Sequence, residues 1–145
     1  MRDLPRQLTA EQLAELFEGR TRFVDQLAAL DDPLGNARAV ARTLTDDEKK
    51  EVLDAHPAIG AKATSARSQA EQGADDDPNV LAELAALNRA YEEKFGFRFV
   101  VFVNRRPRRA IVPLLRDRLG HSRAQELETG VDELVQIAVD RWRTS

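Results

Sequence analysis

Signals for helix starts recur along this sequence of 145 residues, and they constrain its fold more than any other feature. In a capping box, the N-cap side chain and the side chain three residues later each accept a hydrogen bond from the other residue's backbone N–H. The sequence predicts such boxes at Thr9, Thr45 and Ser122, and apolar residues at helical spacing follow each of them. The pattern predicts an all-α fold.

Proline and glycine mark further helix boundaries. Pro57 stops the helix that follows the second capping box. Asp77 and Pro78 supply an N-cap and a first-turn proline for a long helix that ends at Gly96. Together with a short helix predicted over residues 64–72, the total is about eight helices.

The length and composition limit the class of protein. Because no repeat or long linker divides the chain, we expect one compact domain over residues 1–145. The absence of cysteine excludes disulfides and thiolate chemistry, and two histidines are too few for a histidine-only metal site. No apolar run approaches the roughly 20 residues of a membrane helix. Residues 1–8 lack a signal-peptide core, and the net charge is −3. We therefore expect a cytoplasmic protein with no metal, membrane or nucleic-acid partner.

The hydrophobic period changes over residues 97–104, which we call the extended segment. Apolar side chains alternate there with period two, which predicts extended chain rather than helix. No second strand is visible to pair with it, so its backbone groups need other partners, and a bound ligand is one candidate. Alternation places Arg98 on the side opposite to Phe97 and Phe99.

His56 is the first candidate for chemistry. It follows Val52 by four positions and Leu53 by three, so it shares their inward face. It also lies at a helix C-terminus, where free carbonyls stabilise a cation, and we therefore expect a raised pKa for His56. It is either a histidine that caps its own helix or a proton carrier.

Ser68, Glu71 and Gln72 share one polar face of the predicted short helix. This face is either solvated or, beside His56, part of a site that holds a small polar heterocycle and moves a proton on it.

Four guanidinium groups surround Pro107 in a predicted turn, and they belong to Arg105, Arg106, Arg108 and Arg109. They could contact phosphate. Because no exposed aromatic residues interleave with them and no nucleic-acid motif is present, a solvated turn is the other interpretation. The alternative function classes are therefore a nucleic-acid-binding module and a non-catalytic helical dimerisation module.

Several motifs, taken in order, resemble the 2-oxo-4-hydroxy-4-carboxy-5-ureidoimidazoline (OHCU) decarboxylase family. They are HPAIG from His56, SQAEQ from Ser68, LNRAY from Leu87, FGFRFVV from Phe95, RL from Arg118, and a last helix with Glu126, Glu133, Ile137 and Arg141. The likeness covers essentially the whole chain. The sequence departs from the family pattern at Ala58, Arg98 and His121, where aspartate, proline and asparagine are usual.

The resemblance implies a single all-helical domain, a homodimer and no cofactor. It implies decarboxylation of OHCU to (S)-allantoin and CO2 in urate breakdown. It matches His56 to the catalytic histidine, as proton donor or acceptor. We expect Glu71 to be a second catalytic residue, because its charge would act on His56. It places substrate contacts at Pro57, Ser68, Gln69, Ala70, Glu71, Gln72, Phe99, Val100, Val101, Phe102 and Val103.

The expected mechanism assigns roles around the ligand. Glu71 holds His56 in its protonated form and accepts hydrogen bonds from substrate N–H groups. Backbone N–H groups of the extended segment face the ring carbonyls of the substrate. Arg118 pairs either with the substrate carboxylate or with Glu126 or Asp117.

Overall fold

The structure is a computed structural model, and it describes residues 3–57 and 77–144. Within these two ranges the chain forms seven α-helices and no β-strand, so the predicted all-α fold is confirmed. The helices are α1 (Ala10–Phe17), α2 (Arg22–Ala28), α3 (Ala37–Arg42), α4 (Asp46–Asp54), α5 (Pro78–Phe95), α6 (Arg108–Leu119) and α7 (Arg123–Thr144). The short helix predicted over residues 64–72 lies outside the described residues.

The predicted capping boxes form in the structure. The Thr9 hydroxyl accepts the N–H of Gln12 at 3.1 Å, while the Gln12 side chain accepts the N–H of Thr9 at 2.9 Å. The boxes at Thr45 and Ser122 make the same reciprocal pairs. Each box satisfies backbone donors that have no partner within their own helix, so local sequence sets where α1, α4 and α7 begin.

The boundaries of α5 are also confirmed. The Asp77 side chain accepts the N–H of Asn79 at 2.9 Å, and Pro78 occupies the first turn. Gly96 closes the helix at φ 79°, a left-handed conformation that favours glycine. The chain then leaves α5 directly into the extended segment.

Helix α7 lies at the centre of the packing and contacts α1, α3 and α4, while α5 packs against α6. Buried side chains from all seven helices and the extended segment form one hydrophobic cluster. The approach of α4 to α7 is close, because a Cβ added at Gly130 would lie 3.0 Å from Cδ2 of Leu53. This contact fixes the end of α4, where His56 follows.

The extended segment crosses the helices without a partner strand among the described residues. Its alternation holds at Phe97 and Phe99, which are buried, and at Arg98, which is half-buried. Strict alternation is wrong at Val100, which is 1% exposed. The physical reason is that helices cover the segment on more than one side, so facing away from Phe99 does not mean facing solvent.

Candidate active site

His56 lies two residues beyond the last residue of α4. Its backbone N–H donates to the carbonyl of Leu53 at 3.1 Å, which continues the helical turn. The ring is half-buried, and its Nδ1 is buried with no hydrogen-bond partner among the described residues. A buried polar atom without a partner is uncommon in proteins, so this nitrogen is suited to a ligand.

The raised pKa predicted for His56 is wrong. Burial is the main cause that lowers the pKa of His56 from 6.5 to about 4, with the charges of Arg141 and Arg98 acting in the same direction and Glu18 against them. The free carbonyls at the end of α4 favour a cation, but burial and the charged residues that other elements bring outweigh them. At neutral pH the ring is therefore uncharged and can accept a proton.

Arg141 of α7 is a buried cation beside His56. Its side chain is 1% exposed, its Nη1 donates to the carbonyl of Leu16 at 2.8 Å, and its Nη2 lies 3.2 Å from Oε1 of Glu18. Glu18 closes α1 at φ 63°, where a residue other than glycine is strained. Sequence reasoning did not select Glu18. The only local signal was its place directly before Gly19 at the end of an apolar stripe.

Side chains of neighbouring helices accept hydrogen bonds from backbone N–H groups of the extended segment, which has no partner strand among the described residues. The N–H of Arg98 donates to Oδ1 of Asp54 at 3.0 Å, and the N–H of Phe102 donates to Oε1 of Glu133 at 3.4 Å. The described residues supply no acceptor for the N–H of Val101. The segment is therefore fixed in place while part of its backbone stays available for a ligand.

Arg118 pairs with Glu126 rather than Asp117, so one of its predicted alternatives is confirmed. The Glu126 carboxylate is fully buried and accepts from Arg118 Nε at 2.7 Å and from the Tyr91 hydroxyl at 2.6 Å. His121 Nδ1 lies 2.8 Å from its other oxygen. Burial, with the Glu126 carboxylate, raises the pKa of Tyr91.

Arg118 also holds the extended segment directly. Its Nη1 donates to the carbonyl of Val100 at 2.6 Å, and its guanidinium lies 4.6 Å from the centre of the Phe99 ring. Its Nη2 is buried with no hydrogen-bond partner among the described residues. Arg118 therefore supports the extended segment, which we expect to form a wall of the substrate pocket.

The predicted turn around Pro107 does not present four solvated cations. Arg106 folds back and donates to the carbonyls of Phe102 at 2.6 Å and Val103 at 2.8 Å. Arg108 and Arg109 make contacts of their own. The two bonds of Arg106 close the end of the extended segment, which weakens the case for a phosphate-binding turn.

Several predicted site residues lie outside the described part of the chain. They are Ser68, Gln69, Ala70, Glu71 and Gln72, and their roles stay predictions. Among the described residues, no group of histidine and acidic side chains could hold a metal ion. None of the helices in those residues is long and apolar enough to cross a membrane.

Comparison with models of known protein families shows which family the chain belongs to. A family model described as OHCU decarboxylase matches residues 3–143. The chain therefore belongs to the OHCU decarboxylase family.

Named relatives agree with this assignment. A 2-oxo-4-hydroxy-4-carboxy-5-ureidoimidazoline decarboxylase of Halalkalicoccus jeotgali is 34% identical over 115 residues, which cover 74% of this chain and 65% of the relative. The protein of the same name from Haloferax volcanii is 27% identical, covering 82% of this chain and 74% of the relative. A uric acid degradation bifunctional protein of Bacillus sp. is 26% identical, covering 70% of this chain but only 21% of its own length.

A solved structure shares the fold. The crystal structure of an OHCU decarboxylase in the presence of (S)-allantoin superposes with a TM-score of 0.74 at 24% identity, covering 90% of this chain and 94% of that one. This likeness confirms the helical architecture.

Proposed function

We propose that this protein is a cofactor-independent decarboxylase that converts OHCU to (S)-allantoin and CO2 in urate breakdown. Membership of the OHCU decarboxylase family supports the reaction. One structural observation carries the chemistry: an uncharged His56 presents a buried ring nitrogen that has no partner among the described residues.

The substrate explains why no cofactor is needed. OHCU carries a hydroxyl and a carboxylate on one ring carbon, next to a ring C=N group. When the bond to the carboxylate breaks, CO2 leaves and the electron pair forms a new C=C bond. The C=N pair moves onto the ring nitrogen, which takes a proton from water. The resulting enol becomes the ketone of allantoin when the hydroxyl proton is lost and a proton is added to the neighbouring carbon.

His56 suits the proton transfer in this scheme. Because its pKa is lowered to about 4, the ring is unprotonated at neutral pH and acts first as a base on the substrate hydroxyl. The same ring then returns the proton to one face of the neighbouring carbon, which sets the handedness of the product. Glu71 is not needed to keep His56 protonated, and we assign it to hydrogen bonding with substrate N–H groups.

The charges around His56 suit an anionic substrate. Arg141 and Arg98 place two positive charges near the ring, and Glu18 neutralises part of the first. A positive, partly buried site attracts a carboxylate and stabilises the negative charge that develops during decarboxylation. N–H groups of the extended segment that have no partner among the described residues, such as that of Val101, complete the site by facing the ring carbonyls.

The main test replaces His56 with asparagine and compares it with His121→Asn, which changes the other histidine of the chain. Formation of (S)-allantoin from freshly generated OHCU is followed by circular dichroism. We expect His56→Asn to lower kcat by about 10²–10⁴-fold, the usual contribution of a positioned acid–base group. Activity of His56→Asn within about twofold of wild type, with intact helicity, contradicts the assignment.

A second test addresses Glu71. Because a hydrogen bond to a charged group contributes about 1.5–3 kcal/mol, Glu71→Gln should raise KM by roughly tenfold or more and change kcat less. Unchanged KM and kcat would remove Glu71 from the site.

We extend the proposal to assembly and location. The enzyme works as a homodimer, as the family resemblance implies, and it acts in the cytoplasm. Sedimentation equilibrium measures the dimer, and cell fractionation checks the compartment.

A further inference from the structure

Arg98 makes three hydrogen bonds that join the start of the extended segment to two helices and to the turn that carries His56. Its backbone N–H donates to Oδ1 of Asp54 at 3.0 Å, and its Nε donates to Oε1 of Glu92 at 3.0 Å. Its Nη1 donates to the backbone carbonyl of His56 at 2.6 Å. The guanidinium therefore contacts the main chain of the residue that we assign to proton transfer.

The hydrogen bond to His56 lies just beyond the end of α4. The carbonyl of His56 follows the end of α4, and carbonyls at a helix end lack partners within the helix. Arg98 supplies a partner, and Glu92 fixes the guanidinium from α5 at the same time. Two directed bonds from one planar group restrict its rotation, which a single ammonium group does not achieve.

The hydrogen bond from the backbone N–H of Arg98 to Asp54 requires a residue other than proline at position 98. Proline, usual at this position in the family pattern, has no N–H and cannot donate to Asp54. In this chain the N–H and the side chain of Arg98 both contribute contacts, which makes the arrangement a property of this sequence.

We propose that Arg98 is a positioning residue for the decarboxylation, which fixes the His56 carbonyl and thereby the orientation of the imidazole, and which places a permanent positive charge beside that ring. The inference rests on the proposed function. Arg98 touches the main chain of His56, so it acts through His56 and is not itself a catalytic residue.

The charge has an effect that can be measured apart from activity. Arg98 lowers the pKa of His56 together with burial and Arg141, while Glu18 on α1 raises it. Removal of the Arg98 charge should therefore move the pKa of His56 upward. The side chain is 30% exposed and solvent screens part of this effect, so we expect a small upward shift that NMR can resolve.

The test compares Arg98→Gln, Arg98→Lys and the control Lys50→Gln. Lys50 donates to the same Asp54 side chain at 2.6 Å, so the control removes a nearby positive charge that does not contact the His56 carbonyl. NMR titration of the ring protons gives the pKa of His56, and steady-state kinetics gives kcat and KM. The melting temperature reports any loss of stability.

We expect Arg98→Gln to raise the pKa of His56 and to lower kcat about tenfold or more, with KM changed less, because a small misplacement of a reacting group is costly. Arg98→Lys should keep the low pKa and have an intermediate kcat. Lys50→Gln should match wild type in both.

The proposal is overturned if Arg98→Gln changes only the melting temperature, or if Arg98→Lys matches Arg98→Gln in both pKa and kcat. The NMR result also separates this inference from the proposed function. If the wild-type protein does not turn over OHCU, an upward shift in the pKa of His56 in Arg98→Gln still supports the interaction of Arg98 with His56. An unchanged pKa of His56 overturns it.

Discussion

At the scale of single residues, the protonation of His56 is decided by groups that lie far from it in sequence. Burial and the charges of Arg141 and Arg98 favour the neutral ring, whereas the charge of Glu18 favours the protonated ring. A pKa below the unfolded value has a consequence for stability. As pH falls from 6.5 towards 4, the unfolded chain binds the proton before the folded one does, so the stabilising contribution of neutral His56 is present above 6.5 and lost towards 4.

This linkage predicts a difference between wild type and His56→Asn. Each pKa unit is worth about 1.4 kcal/mol, so between pH 7 and pH 4.5 the wild type should lose about 2 kcal/mol more unfolding free energy than the variant. Urea denaturation at a series of pH values measures this difference. Parallel curves for wild type and His56→Asn would mean that His56 titrates normally in the folded state.

The sequence predicted the presence of His56 at a helix end, but not its charge state. Its place after Val52 and Leu53 is local information that the spacing contains. The partner of its carbonyl is Arg98, 42 positions away, and no periodicity connects the two. Electrostatic surroundings depend on the packed fold, which explains why the sign of the pKa shift was wrong.

At the scale of elements, the buried carboxylate of Glu126 joins three helices to the extended segment. It lies on α7, accepts from Tyr91 of α5, and pairs with Arg118 of α6, which in turn binds the carbonyl of Val100. Because one carboxylate satisfies several buried donors, its loss leaves them without partners. The network therefore connects the stability of the fold to the shape of the proposed pocket wall.

Glu126→Gln should lower the unfolding free energy by about 3–5 kcal/mol, because it leaves the Arg118 charge buried without a counter-charge. Asp132→Asn on the same helix is the matched control. It breaks the pair with Arg42, in which both side chains are at least 30% exposed, and it should cost about 1 kcal/mol or less. Chemical denaturation measures both values. Equal losses in the two variants would contradict the special role of the buried pair.

The crossing of α4 and α7 provides a second prediction at this scale. Alanine in place of a helical glycine usually stabilises by about 1 kcal/mol. At Gly130, however, the added Cβ would lie 3.0 Å from Cδ2 of Leu53, whose side chain is fully buried. We expect Gly130→Ala to destabilise by about 1–2 kcal/mol and to lower kcat, because α4 carries His56 at its end.

A double-mutant cycle checks the cause of this effect. Leu53→Val removes the clashing atoms, so it should cost less stability in the Gly130→Ala background than in wild type. If the two changes are additive, contact with Leu53 is not the reason for the loss.

Local signals and long-range contacts differ in how far the sequence predicts them. The capping pairs lie three residues apart, so the starts of α1, α4 and α7 could be read directly. The partner of Tyr91 is 35 positions away, and Val100 is buried because of helices on other parts of the chain. Pattern alone therefore predicted the elements well and the enclosure of the extended segment only in part.

At the scale of the whole molecule, the described elements share one hydrophobic cluster, so local and global unfolding should coincide. The single tryptophan, Trp142, tests this expectation, because its Nε1 donates to the carbonyl of Asp3 at 2.7 Å and so reports the docking of the N-terminal segment on α7. Far-UV circular dichroism reports all helices together. We expect the urea transitions from the two signals to have the same midpoint in wild type.

In Leu53→Ala both transitions should move to lower urea together, corresponding to a loss of about 2–5 kcal/mol of unfolding free energy for a buried leucine. A tryptophan transition that precedes the loss of helicity would show that the N-terminal segment and α7 separate before the core does, and the protein would then not unfold as a single unit.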